Sequence, residues 1–169
     1  MAHQGKSSTI LMADDDADDC LLVKEAFREN QLLNDIRFVK DGEELMSYLH
    51  RRGAYADCAH SPRPAIILLD LNMPRKDGRE ALREIKSDPF LKTIPVVILT
   101  TSKEQEDIHL CYESGASSFI TKPVSFEELL EVVQLIEKYW FSIVELPPEQ
   151  DSAPTAMAIT NVEAGKSEA

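Results

Sequence analysis

The stretch Ile66-Ile67-Leu68-Leu69-Asp70-Leu71-Asn72-Met73-Pro74 decides how this chain folds. Large apolar residues run without a break between Pro64 and Pro74, which predicts a short strand buried on both faces. Such a strand belongs to a parallel sheet covered by helices on either side. It delivers one carboxylate, Asp70, to its C-terminal end. In open parallel sheets ligands and chemistry gather at that end, so Asp70 is the first candidate for a functional residue. The plainer reading, that Asp70 caps the turn before a Pro-containing loop, stands beside it on this stretch alone.

Working toward the N-terminus, Ser7 to Ala13 is a β-like run ending in Asp14-Asp15-Asp16, and a helical rhythm follows to about Asn30. Ile36 to Val39 is a second short strand, and Asp41-Gly42 turns the chain into a second helix containing Leu45, Met46 and Leu49. Arg51 to Pro64 is a long loop. Working toward the C-terminus, Lys76-Asp77-Gly78 turns into a helix with Ala81, Leu82 and Ile85 on its inner face, stopped by Pro89. Ile94 to Leu99 repeats the buried-strand pattern and ends at Thr100-Thr101-Ser102. A helix from Glu104 to Glu113 with Gly115 beyond it leads to a fifth strand, Ser117 to Thr121, which ends at Lys122-Pro123. Ser125 and Glu128 form a capping box for the last helix.

Strand and helix alternate five times within one domain's length, which predicts a doubly wound five-stranded parallel sheet with five helices. Right-handed crossovers leave few strand orders to consider, and among them the flavodoxin-like order 2-1-3-4-5 is the favourite. The expected organisation is an arm over 1–7, a domain over 8–146 with an extended last helix, and an unstructured tail over 147–169.

At 169 residues the chain accommodates one such domain and a short appendage. A formal net charge of -12 argues against a nucleic-acid surface. No apolar run is long enough to span a bilayer and no signal-type leader is seen at Met1 to Lys6, so a cytoplasmic location is expected. The three cysteines, Cys20, Cys58 and Cys111, lack metal-type spacing and read as reduced, small apolar residues.

This topology brings Asp14, Asp15, Asp70, Thr100 and Lys122 to one sheet edge. Crowded carboxylates raise one another's pKa unless a cation joins them, and an all-oxygen set of this kind suits Mg²⁺. A lysine ammonium and a threonine hydroxyl beside it would serve phosphoryl oxygens, so the set reads as phosphoryl transfer onto Asp70. Each member alone has an ordinary explanation. Asp14-Asp15 would serve as helix-start acids, Lys122 as an exposed lysine and Thr100 as a strand end. Their joint arrival at one edge carries the inference.

The motifs Asp14-Asp15, Leu69-Asp70-Leu71-Asn72-Met73-Pro74 with Asp77-Gly78, Thr100, and Lys122-Pro123 resemble the receiver domain of two-component response regulators over residues 8 to 141. The resemblance implies that Asp70 accepts a phosphoryl group from a histidine kinase. It implies that Asp15 binds Mg²⁺ directly, Asp14 through water, Asp70 itself, and Asn72 through its backbone carbonyl. Lys122 would contact the phosphoryl group, Thr100 would be the switch hydroxyl, and Phe119 the aromatic switch residue. Thr101 departs from the small residue many receivers carry there. The long loop, the segment Leu99 to Glu104 and the end Glu137 to Phe141 are similar to small single-domain regulators partnered with cyanobacterial phytochromes. The chain after the receiver leaves no room for a DNA-binding output domain, so output is expected through protein contacts.

Other readings fit less well. Asp14, Asp16, Asp18 and Glu25 have calcium-loop spacing, but Asp19 stands where that loop needs glycine and a strand precedes it. A flavin phosphate would be repelled by the triple-Asp loop. An aspartyl-phosphate phosphohydrolase of the haloacid-dehalogenase type places its nucleophile after the first strand with a second Asp two residues on, whereas here Asn72 follows Asp70. A degenerate receiver acting only as a binding module conflicts with the complete motif set.

In the last helix Phe126, Leu129, Leu130, Val133, Ile136 and Trp140 form the face expected to pack on the sheet. Val132, Leu135, Tyr139 and Ile143 extend the apolar arc beyond it. That excess is expected to serve a homodimer through the fourth helix, fifth strand and fifth helix, or to be covered by residues Phe141 to Leu146 folding back.

Overall fold

A computed structural model describes residues 8–149; the expectations for the arm over 1–7 and for most of the tail lie outside the described residues. Five strands, β1 (Thr9–Ala13), β2 (Asp35–Val39), β3 (Ile66–Leu69), β4 (Val96–Thr100) and β5 (Ser118–Thr121), form one sheet. The order is β2-β1-β3-β4-β5, the flavodoxin-like one expected, and every pair is parallel, as the alternation predicts. The helices are α1 (Ala17–Glu29), α2 (Gly42–Leu49), α3 (Gly78–Ser87), α4 (Gln105–Glu113) and α5 (Phe126–Glu137). The first and fifth strands begin later than their sequence runs suggest, because pairing starts at Thr9 and at Ser118.

Alternation of side chains along the strands separates two cores. Leu11, Ala13, Ile67, Leu69, Val96 and Ile98 face Leu45, Leu82, Ile85 and Cys111 on one side. Ile10, Met12, Ile66, Leu68, Val97 and Leu99 face Val23, Phe27, Leu129, Val133 and Ile136 on the other. Both sheet faces are therefore dry, which is why the strands read as unbroken apolar runs.

Side-chain caps start four helices. Asp16 accepts from the Asp18 and Asp19 amides, Asp41 from Glu44, Asp77 from Arg79 and Glu80, and Ser125 from Glu128. Two glycines mark close backbone contacts: a Cβ at Gly42 would stand 2.3 Å from the Lys76 carbonyl oxygen, and one at Gly78 2.1 Å from that of Asp70. Gly115, at φ +99°, ends α4 as expected.

After α5 the chain continues as a π-helical turn, Lys138–Ile143. The wider turn changes the phase of the apolar stripe. Trp140 and Phe141 lean onto the second core, together with Leu146, while Tyr139 and Ile143 point out. Val132 corrects the sequence expectation: it packs in part against the same core, because its position on α5 falls beside Val133 and Leu129 at the rim of the sheet contact. Leu146 to Glu149 then lies at the amino edge of the sheet, sharing a hollow with Thr9, Ala65 and Pro95.

Candidate functional site

The backbone ladder itself sets the central carboxylates side by side. Ala13 is in register with Leu69, so the next residues, Asp14 and Asp70, leave adjacent strands at the point where the strand order reverses. The Asp70 amide donates to the Ala13 carbonyl at 3.0 Å, and the Asp14 amide to the Val39 carbonyl at 3.0 Å. Asp14 is 2% exposed, Asp70 6%, and Thr100 is fully buried at the end of β4. Lys122 follows β5, its amide bonded to the Thr100 carbonyl at 2.8 Å.

The Lys122 ammonium reaches into the carboxylates: it lies 2.7 Å from Asp14 Oδ2, 2.6 Å from Asp19 Oδ2 and 3.1 Å from Asp70 Oδ2. Burial opposes its charge, but pairing with Asp14 and Asp19 and the field of Asp70 outweigh that and hold its pKa above the usual lysine range. Asp14 is pushed up to about 6, chiefly by burial, with Lys122 and the Asp16 amide pulling the other way. Repulsion from Asp70 is a lesser contributor, so dehydration more than like-charge crowding sets the cost of ionising this group.

Asp15 is exposed at the mouth, and oxygens of Asp14, Asp15 and Asp70 all lie within 4.8 Å of one another. Asp14 Oδ1 is taken by the Asp16 amide at 2.9 Å. Asp14 Oδ2 is buried with no aligned hydrogen bond despite its ion pair with Lys122. Among the described residues no hydrogen bond ends on the Asn72 carbonyl oxygen. An under-satisfied buried carboxylate oxygen and two further carboxylates make an all-oxygen donor set that fits a hard divalent cation. Asn72 is exposed, its amide 3.4 Å from Asp70 Oδ1.

Thr100 Oγ1 accepts from the Ser102 amide at 3.4 Å, and Thr101 is exposed. Phe119, paired with Ile98 across the ladder, packs partly against the first core, and its amide donates to the Tyr112 hydroxyl at 3.2 Å. Cys20, beside this site, has its thiol pushed up to about 11 by burial and by Asp14, which leaves it protonated and inert at neutral pH. All three cysteines are free.

Sequence reasoning missed Asp19. It lies in the first turn of α1, and its carboxylate is as near to Lys122 as that of Asp14. The spacing from the Asp16 cap could have placed it, since an N-cap fixes the phase of the turn that follows. Also missed was the pairing of Arg79 with Asp107 beyond the site.

Fold and site together define a receiver-type α/β domain, with an acidic pocket at the switch point and a lysine closing it. The chain belongs to the response regulator family: residues 10–134 match the model for the response regulator receiver domain. It is 42% identical over 138 residues to the response regulator Rcp1 of Synechocystis sp., covering 82% of this chain and 92% of Rcp1. The crystal structure of the phosphorylated cyanobacterial phytochrome response regulator RcpA superposes with a TM-score of 0.77 at 43% identity, over 83% of this chain and 98% of RcpA. The Mn²⁺-bound form of Rcp1 superposes with a TM-score of 0.75 at 41% identity, over 83% of this chain and 99% of that one. Among the described residues no helix is long and apolar enough to cross a membrane.

Proposed function

We propose that this protein is a cytoplasmic response regulator that accepts a phosphoryl group on Asp70 from a histidine kinase, and that the kinase is a phytochrome. The single observation that carries the assignment is the meeting of Asp70 with Asp14, Asp15 and Lys122 at the end of β3. The phytochrome partnership is supported by likeness to RcpA and Rcp1. An Asp70 carboxylate oxygen attacks the phosphorus of a phosphohistidine. A P–O bond forms as the P–N bond breaks, and the imidazole nitrogen keeps the electron pair and takes up a proton. Asp14, Asp15, Asp70 and the Asn72 carbonyl would hold Mg²⁺, which neutralises charge on the phosphoryl oxygens. Lys122 leaves its carboxylate partners in part to pair with a phosphoryl oxygen, and Thr100 supplies a hydroxyl to another. Phe119 turns inward as Thr100 moves. Chemistry by this chain is confined to its own phosphorylation and slow self-dephosphorylation.

Output passes through protein contacts, including a homodimer across α4, β5 and α5. Leu135, Tyr139 and Ile143, 63%, 51% and 64% exposed, support this apolar face, whereas Val132 contributes at its rim.

Incubation with Mg²⁺ and acetyl phosphate should leave one acid-stable, base-labile phosphoryl group, absent from Asp70→Asn. Label persisting in that variant refutes the acceptor. Steady phosphate release from simple phosphomonoesters would favour the hydrolase instead.

A further inference from the structure

Outside the carboxylate pocket a second set of polar contacts joins the end of β4, where Thr100 sits, to the loop that opens with Asp70. Arg79, in the first turn of α3, grips Asp107 in the first turn of α4 with a fork: Nε is 2.6 Å from Oδ1 and a terminal nitrogen 2.6 Å from Oδ2. Asp107 Oδ2 also accepts the Ser102 hydroxyl at 2.6 Å. Ser102 in turn receives the Glu104 amide on that hydroxyl at 3.3 Å and gives its own amide to Thr100 Oγ1 at 3.4 Å. On the other side Gly78, next to Arg79, donates to the Leu71 carbonyl at 2.9 Å and has no room for a Cβ against the Asp70 carbonyl.

The bonds in this chain are unequal. Those that meet at Asp107 are short and charge-assisted, and the Arg79 and Asp107 side chains are only 25% and 15% exposed. The link from Ser102 to Thr100 is long and weak. Any movement of Thr100 toward Asp70 therefore breaks the Ser102–Thr100 link first, while Ser102 stays with Asp107. A salt bridge serving only to hold α3 against α4 would not need the third bond to Ser102. Arg79, and then Ser102, hold the Asp107 carboxyl below the usual carboxylate range, so the anchor stays charged.

We propose that Arg79 and Asp107 are positioning residues: through Ser102 they fix the hinge about which the Thr100 hydroxyl reaches the phosphoryl group on Asp70. This rests on the phosphoacceptor assignment above. Neither residue touches the reacting atoms. Their effect runs through Thr100 alone.

The test is the rate at which the full chain is labelled by acetyl phosphate and Mg²⁺, in parent, Ser102→Ala, Asp107→Asn, Thr100→Ala and the two double variants with Thr100→Ala. Ser102→Ala and Asp107→Asn should each slow labelling by about tenfold, the scale expected for a displaced reacting group. In the Thr100→Ala background neither should slow it further. Unchanged rates in the single variants, or equal slowing with and without Thr100, would overturn the proposal. Should Asp107→Asn fail to fold by circular dichroism, Ser102→Ala, which removes one hydroxyl, decides alone. A parent chain that is not labelled at all brings down the acceptor assignment itself, whereas a labelled parent with additive variants brings down only the hinge.

Discussion

At the carboxyl edge of the sheet Asp14 and Asp70 are 2% and 6% exposed, while along the outer side of α5 and its π-helical turn Leu135, Tyr139 and Ile143 are 51% to 64% exposed. One region buries charge and the other exposes apolar surface. Both are costly, but the compensation differs. The buried carboxylates find their counter-charge within the chain, at Lys122, and retain donor oxygens suited to a cation. The three side chains stay largely exposed among the described residues, and an edge-to-face contact between Tyr139 and Trp140 engages part of that face. A site that is balanced internally can wait for a small ion. A face that is not balanced looks outward for a protein.

Breaking the internal balance should have the largest effect. Lys122→Met strands three carboxylates around an empty centre, and we expect a loss of about 3 kcal/mol in urea unfolding without added metal. Mg²⁺ should restore part of that loss and shift the variant more than the parent. Gly78→Ala drives a Cβ into the Asp70 carbonyl, which is backbone and cannot yield, so a cost of about 2–3 kcal/mol is expected even though no charge changes. Comparing the two separates the charge balance of the site from its tight packing.

The pH dependence sharpens the same contrast. Asp14 has a folded pKa of about 6 against an unfolded value of 3.8, so the native state binds the proton more tightly. Its contribution favours folding fully below 3.8 and is lost as pH rises through about 6. Relative to Asp14→Asn, the parent should lose about 3 kcal/mol across that window in metal-free buffer, and much less with Mg²⁺ present. Identical pH profiles for the two chains would contradict the assigned burial cost. The smallest effect on stability belongs to the outer face: Leu135→Ser with Ile143→Ser should change unfolding by under about 0.5 kcal/mol each. Yet light scattering should move from dimer to monomer. A parent that is monomeric at high concentration, phosphorylated or not, would remove the dimer from the proposed function.

The fold was legible because β1, β3 and β4 are dense apolar runs, and the shorter, more mixed β2 and β5 keep the same alternation with helices. Residues Asp14, Asp70, Thr100 and Lys122 were legible as a group because each ends or directly follows a strand, and parallel pairing carries strand ends to a common edge. Asp19 was hidden among five acids in six residues, distinguishable only once Asp16 is known to cap α1. Arg79 and Asp107 lie 28 residues apart on separate helices, and no periodicity joins them. The end of α5 misled in a different way. A stripe drawn at a constant helical step put Trp140 on the sheet side, where it packs, but it set Val132 with the free face, and the widened turn after Glu137 was not visible in the spacing.

The return of the chain to the amino edge has a practical consequence. Glu149 shares a hollow with Thr9, which opens β1, and with Ala65 and Pro95, which immediately precede β3 and β4, whereas Asp70 stands just past the end of β3. Four strand residues separate those two edges, roughly 13 Å of sheet. A fluorophore or affinity handle attached at position 149 would therefore be screened from the phosphorylation chemistry by the full height of the barrier between them. This makes that position a vantage point for watching the protein signal without touching the reaction.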